Sequence, residues 1–145
     1  MIALIQRVNR ARINIDQKLH AEIGQGLLAF IGVEKNDTQD LADKLLAKIL
    51  AYRVFADTEQ RMNLSVKDID GELMLVSQFT LAADTNRGLR PSFSSAMPPR
   101  EAEGIYDYLL NSAKQEHELV QSGMFAADMQ IELENDGPVT FILQV

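Results

Sequence analysis

The sequence contains no cysteine. That single absence removes disulfides, zinc thiolates, thiol nucleophiles and thiol redox switches, and it suits an unstapled domain in a reducing cytoplasm. Histidine is scarce as well, with only His20, in a short polar stretch after Lys18, and His117, within Gln115-Glu116-His117-Glu118. Neither has sequence partners for a Ser-His-Asp triad or an imidazole-based metal site. His117 reads as part of a solvated helix end, and neither a metal nor a cofactor is expected. No apolar run approaches the roughly 18 to 20 residues that cross a bilayer. Arg7, Arg10, Arg12 and Asp16 interrupt the region where a secretion signal needs an apolar core. The expectation is a cytoplasmic protein without a membrane span.

What is present has the balance of a folded globular chain, 46% hydrophobic and 24% charged over 145 residues. That length suits one domain spanning 1–145 with one sizeable core. The net charge of −7 argues against a simple nucleic-acid binder, but the charge is unevenly spread. Residues 1–15 carry Arg7, Arg10 and Arg12, residues 85–100 carry Arg87, Arg90 and Arg100, and neither segment has an acid. The other residues therefore sum to −13. Arginine is suited to bidentate phosphate contacts, so an acidic chain with two arginine-only segments can hold a phosphate backbone locally and repel it elsewhere. Ordinary surface arginines are the alternative.

The hydrophobic periods are mixed α and β. Ala11, Ile13 and Ile15 alternate with Arg12, Asn14 and Asp16, the pattern of a half-buried strand, and Ile2 to Val8 reads as its partner in an opening hairpin. Gly26 to Val33 is a short apolar run, as for a strand covered on both faces. Asp37 is positioned to cap a helix over about 38–52 that carries Leu41, Ala42, Leu45, Leu46, Ile49 and Leu50. Gly71 to Val76 reads as a second buried strand, ending on Ser77-Gln78 before Phe79-Thr80-Leu81. Polar side chains at the end of a buried strand suggest a site. Ala82 to Met97 has neither period, and a loop of that length in a compact domain is usually functional or disordered. Pro98-Pro99 opens a helix presenting Ala102, Ile105, Tyr106, Leu109 and Ala113. Two alternating segments, 129–134 and 139–145, flank Asn135-Asp136-Gly137-Pro138, which reads as a hairpin turn. The whole is an α/β chain of mixed β-sheets with two main helices, strand-rich at its N- and C-terminal parts.

Four segments carry a resemblance. Ser77-Gln78-Phe79-Thr80-Leu81, Arg90-Pro91-Ser92-Phe93, Phe125-Ala126-Ala127-Asp128-Met129 and Asn135-Asp136-Gly137-Pro138-Val139-Thr140 stand in the order and spacing of the D-aminoacyl-tRNA deacylases, also called D-tyrosyl-tRNA deacylases. The chain resembles that family over essentially its whole length.

The resemblance implies a cytoplasmic homodimer that hydrolyses the ester between a D-amino acid and the terminal ribose of tRNA, and that also clears mischarged glycine. It further implies that Gly137-Pro138 is held cis and reaches into the partner subunit's active site as a chirality gate. Such a gate has a physical logic, because a proofreader for any D-residue must read the α-carbon with fixed backbone groups and exclude L-side chains by clash. Backbone amides around Phe79 and Thr80 are the candidate oxyanion donors. Thr80 is the alternative nucleophile, but no His or Lys stands beside it in sequence to activate it. Water attack assisted by the substrate's ribose 2′-hydroxyl is therefore favoured. Ser77, Gln78 and Phe79 would form the adenosine and aminoacyl pocket, Met129 its wall, and Arg7, Arg87 and Arg90 would contact tRNA phosphates. Phe79 and Met129 also read as ordinary core residues. Two other functions fit the composition, a non-catalytic dimeric RNA-binding or adaptor module and a small-molecule esterase.

Overall fold

Ala3 and Ile5 alternate along the start of the chain, Ala11 and Ile13 do so further on, and the two series are in phase by residue number yet bury against opposite faces of the sheet. Both lie in one strand, β1 (Ile2–Ile15), so the opening hairpin expected within residues 2–15 does not form. The pairing of β1 with the last strand slips between Val8 and Arg10, where two steps along β1 oppose one along its partner. The extra residue is a β-bulge, and a one-residue slip turns every later side chain to the other face. A hairpin does follow: β1 returns through Asp16 and Gln17, at φ 50° and 62°, into β2 (Lys18–Ile23).

The computed structural model describes residues 1–86 and 88–145. β3 (Gly26–Gly32) runs antiparallel to the first half of β1 and parallel to β6 (Glu72–Ser77), which in turn lies parallel to β7 (Val120–Ser122). Parallel neighbours need crossover connections. The first contains α1 (Gln39–Ala51) and the small pair β4 (Phe55–Ala56) and β5 (Met62–Leu64), and the second contains α2 (Pro99–Glu116). Ala42, Leu45, Leu46, Ile49 and Leu50 of α1, with Ala102, Tyr106, Leu109 and Ala113 of α2, bury the helices against Leu27, Ala29, Ile31, Leu73 and Leu75. Val8, Ala11, Ile13, Ala21, Ile23, Leu28, Met74 and Val76 form a second cluster on the opposite face. A fully buried leucine such as Leu45 typically contributes about 2 to 5 kcal/mol relative to alanine.

The cap of α1 is Thr38, whose hydroxyl accepts from the Leu41 N–H at 3.4 Å. Asp37 instead braces the preceding turn, accepting the Glu34 N–H at 2.6 Å. His117 is not a solvated helix end. Its N–H caps α2 on Ala113 and its Nε2 donates to the Gly71 carbonyl at 2.8 Å.

The C-terminal segment also departs from the expected turn. Asn135 to Pro138 is not a hairpin turn, because both flanking segments belong to one strand, β8 (Gln130–Gln144), and both pair antiparallel with β1. Gln6 faces Thr140 and Val8 faces Asn135, so Asp136 to Val139 loop out of the ladder opposite Arg7 alone. Among the described residues nothing pairs with the other edge of β8. The architecture is thus the mixed α/β arrangement with two main helices, strand-rich at both ends, that the periodicities predict.

Candidate active site

β6 carries four buried apolar residues, Leu73 to Val76, and then reaches the surface at half-buried Ser77 and Gln78. The Gln78 N–H donates to the Ile31 carbonyl at 2.8 Å, so pairing with β3 holds the chain until it turns. The turn is a short 3-10 segment, Phe79–Ala82, closed by Leu81 N–H to Gln78 O and Ala83 N–H to Thr80 O, both 3.2 Å. A helical first turn leaves its leading N–H groups without partners. Among the described residues, the Phe79 and Thr80 amides have no acceptor in the chain. Two adjacent free donors at an exposed strand end are a ready cradle for an oxyanion.

The side chains around them are polar or aromatic. Gln78 Nε2 donates to Thr80 Oγ1 at 2.6 Å, and no imidazole, amine or carboxylate bonds that hydroxyl among the described residues. Phe79 is 61% exposed, which rules out the core reading. Its ring meets Phe93 at a centroid distance of 5.1 Å and 54°, so the Arg90-Pro91-Ser92-Phe93 segment closes over the same place. Met129 is half-buried against the cluster that includes Met74 and Val76, on the face opposite the helices.

The loop in β8 lies elsewhere on the sheet. The Gly137–Pro138 peptide bond is cis and Gly137 has φ +142°. A Cβ on Gly137 would stand 2.6 Å from Val139 Cγ2, 2.9 Å from the Val139 N and 3.2 Å from Arg7 Nη2, so glycine is required by the loop's own interior. Arg7 spans the loop from beneath. Its Nε donates to the Asp136 carbonyl at 2.9 Å and pairs with the Asp136 carboxylate at 3.1 Å, while Nη1 donates to the Val54 carbonyl at 2.6 Å. Its side chain is 13% exposed. The structure thus commits Arg7 to contacts within the chain, leaves Arg90 exposed, and does not describe Arg87. Arg10 and Arg12 pair with Glu134 and Glu22.

A family model described as D-Tyr-tRNA(Tyr) deacylase matches residues 4–144. The chain belongs to the D-Tyr-tRNA(Tyr) deacylase family. It is 54% identical over 145 residues to a D-aminoacyl-tRNA deacylase of Cellvibrio japonicus, covering 100% of this chain and 99% of the relative. It is 57% identical over 150 residues to the one from Burkholderia vietnamiensis, with the same coverage. Among solved structures, it is similar to the c-Myc DNA Unwinding Element Binding Protein at TM-score 0.96 and 38% identity, covering 100% of this chain and 99% of that one. A structure described as that of "a probable eukaryotic D-amino acid tRNA deacylase" matches at TM-score 0.88 and 13% identity over 99% and 98% of the two chains, which shows the shared fold.

In this deacylase-family chain the two features stand apart. Gln78 is tied to Ile31, which pairs with Ala3, whereas the Gly137–Pro138 loop sits opposite Arg7 on the far side of β1. Four residues of strand rise and three inter-strand spacings separate them, about 20 Å at roughly 3.3 Å per residue and 4.8 Å per strand. One chain therefore does not bring Gly137 and Pro138 to its own Phe79 and Thr80. Sequence reasoning found these positions but gave no role to Phe93, and none to Asn135, whose side chain bonds both backbone groups of Val139. The signal for both lay in the motifs themselves.

Proposed function

We propose that this protein hydrolyses the ester of D-aminoacyl-tRNA, and of mischarged glycyl-tRNA, releasing free tRNA and amino acid, as a cytoplasmic homodimer. The observation that carries the chemistry is the pair of unpartnered amides at Phe79 and Thr80, set beside an exposed aromatic pair at the open end of β6. Water attacks the ester carbonyl and its oxygen becomes bonded to the carbonyl carbon. The two N–H groups take the charge that develops on the carbonyl oxygen. The bond to the ribose oxygen then breaks and that oxygen takes the proton given up by the attacking water, relayed by the neighbouring 2′-hydroxyl. Thr80 is a positional residue in this scheme. Its hydroxyl already accepts from Gln78, and among the described residues no base bonds it to take its proton.

Chirality is read by Gly137 and Pro138 of a second copy. The separation of loop and site within one chain supports a site completed in trans, and the edge of β8 that is unpaired among the described residues, with Phe141 and Ile142 exposed along it, supports the docking of that copy. An L-residue directs its side chain into the loop and is refused, while a D-residue and glycine are accepted. Ser77, Gln78, Phe79 and Met129 line the pocket for the adenosine and aminoacyl group. Arg90 and Arg87 supply phosphate contacts, and Arg7 acts by holding the loop.

Incubation with D-tyrosyl-tRNA and with a D-tyrosine methyl ester tests this. The reading predicts rapid loss of the tRNA ester alone. Loss of neither would leave a binding module, and equal loss of both would make the protein a general esterase.

A further inference from the structure

The loop that interrupts β8 stands opposite Arg7 alone, and on its return limb the Val139 N–H and carbonyl both bond one side chain. Asn135 Oδ1 accepts the Val139 N–H at 2.7 Å, and its Nδ2 donates to the Val139 carbonyl at 3.2 Å and to Thr140 Oγ1 at 3.1 Å. Thr140 Oγ1 also accepts from Gln6 Nε2 at 3.3 Å, which ties the far limb of the loop back to β1. An N–H can be met only by the amide oxygen and a carbonyl only by the amide nitrogen, so the orientation of the Asn135 carboxamide follows from its partners. Val139 is 7% exposed, so neither of its backbone groups has ready access to water. The near limb is held independently, by Arg7 on the carbonyl and carboxylate of Asp136.

We infer that Asn135 is a positioning residue for chirality discrimination, its carboxamide acting as a surrogate peptide that closes the mouth of the loop and sets how far Gly137 and Pro138 project. The inference rests on the gate reading above. Asparagine suits the task because one short side chain presents a donor and an acceptor in the same plane. A carboxylate keeps the acceptor but turns a negative charge toward the Val139 carbonyl, and alanine leaves the Val139 N–H without its partner. With the return limb unclamped, the loop relaxes away from the position that excludes an L-side chain. A stability role alone would lower activity toward every substrate in parallel; a positioning role changes the ratio between substrates.

The test is the ratio of kcat/KM on D-tyrosyl-tRNA to that on L-tyrosyl-tRNA for Asn135→Ala, Asn135→Asp and Gly137→Ala, each confirmed folded and dimeric by circular dichroism and sedimentation. The expected result is a ratio lowered at least tenfold in Asn135→Ala, with an intermediate value in Asn135→Asp, which keeps an acceptor for the Val139 N–H. If Asn135→Ala does not fold, Asn135→Asp decides alone: a lowered ratio supports the inference and a wild-type ratio overturns it. A lowered ratio in Gly137→Ala with wild-type ratios in the folded Asn135 variants overturns the clamp and leaves the gate standing. A wild-type ratio in Gly137→Ala overturns the gate and the clamp with it.

Discussion

Thr80 presents an exposed hydroxyl at the end of β6, where a nucleophile would be sought, but the bonding around it argues otherwise. The Gln78 amide donates to its oxygen at 2.6 Å, which draws electron density away from the atom that would attack. Thr80→Val keeps the backbone amide and most of the side-chain volume, so turnover of D-tyrosyl-tRNA should fall by less than about tenfold, the scale of a lost polar contact. A nucleophile's removal costs on the order of 10⁴ or more. Single-turnover hydrolysis by the valine variant separates the two, and a loss of thousands-fold would restore Thr80 to covalent chemistry. Arg7 shows the limit of inference from charge. It belongs to an acid-free segment in the sequence, yet its partners Asp136 and Val54 come from 129 and 47 residues away and make it an internal brace.

The secondary elements that bury a continuous stripe were legible in the sequence, and the ones that break phase were not. α1 and α2 follow their three- and four-residue spacings, and β3 and β6 follow their unbroken apolar runs, because burial against the sheet enforces those periods. The periodicity divides β1 in two because the bulge near Asn9 exchanges its faces, and the same turn residues serve a hairpin and the loop in β8, so the local pattern does not separate the two geometries. β4, β5 and β7 are two or three residues long, too short to show any period. One residue of α2 departs from its element's preference. Gly104 lies exposed within the helix and a Cβ there would meet nothing within 4 Å. Gly104→Ala should stabilise the protein by about 1 kcal/mol through helix propensity, raising the thermal midpoint by roughly 2 to 4 °C. An unchanged or lowered midpoint would mean that this position is covered in the assembled protein.

At the scale of the whole molecule, the motifs name two sets of residues but do not place them relative to one another. Ser77 to Leu81 and Asn135 to Thr140 both stand out in sequence, whereas the roughly 20 Å between them arises from the order of strands across the sheet, a long-range property that no local pattern encodes. The same separation gives the account its sharpest consequence, since a site closed by fixed backbone must refuse L-residues whatever their side chain. The measurement that tests this most directly is single-turnover hydrolysis of D-tyrosyl-tRNA and L-tyrosyl-tRNA by the purified wild-type protein under identical conditions. A D-to-L rate ratio of at least about 100, equivalent to about 2.8 kcal/mol, is predicted. Comparable rates on the two stereoisomers would contradict the gate, and no release from either would contradict the assigned hydrolysis.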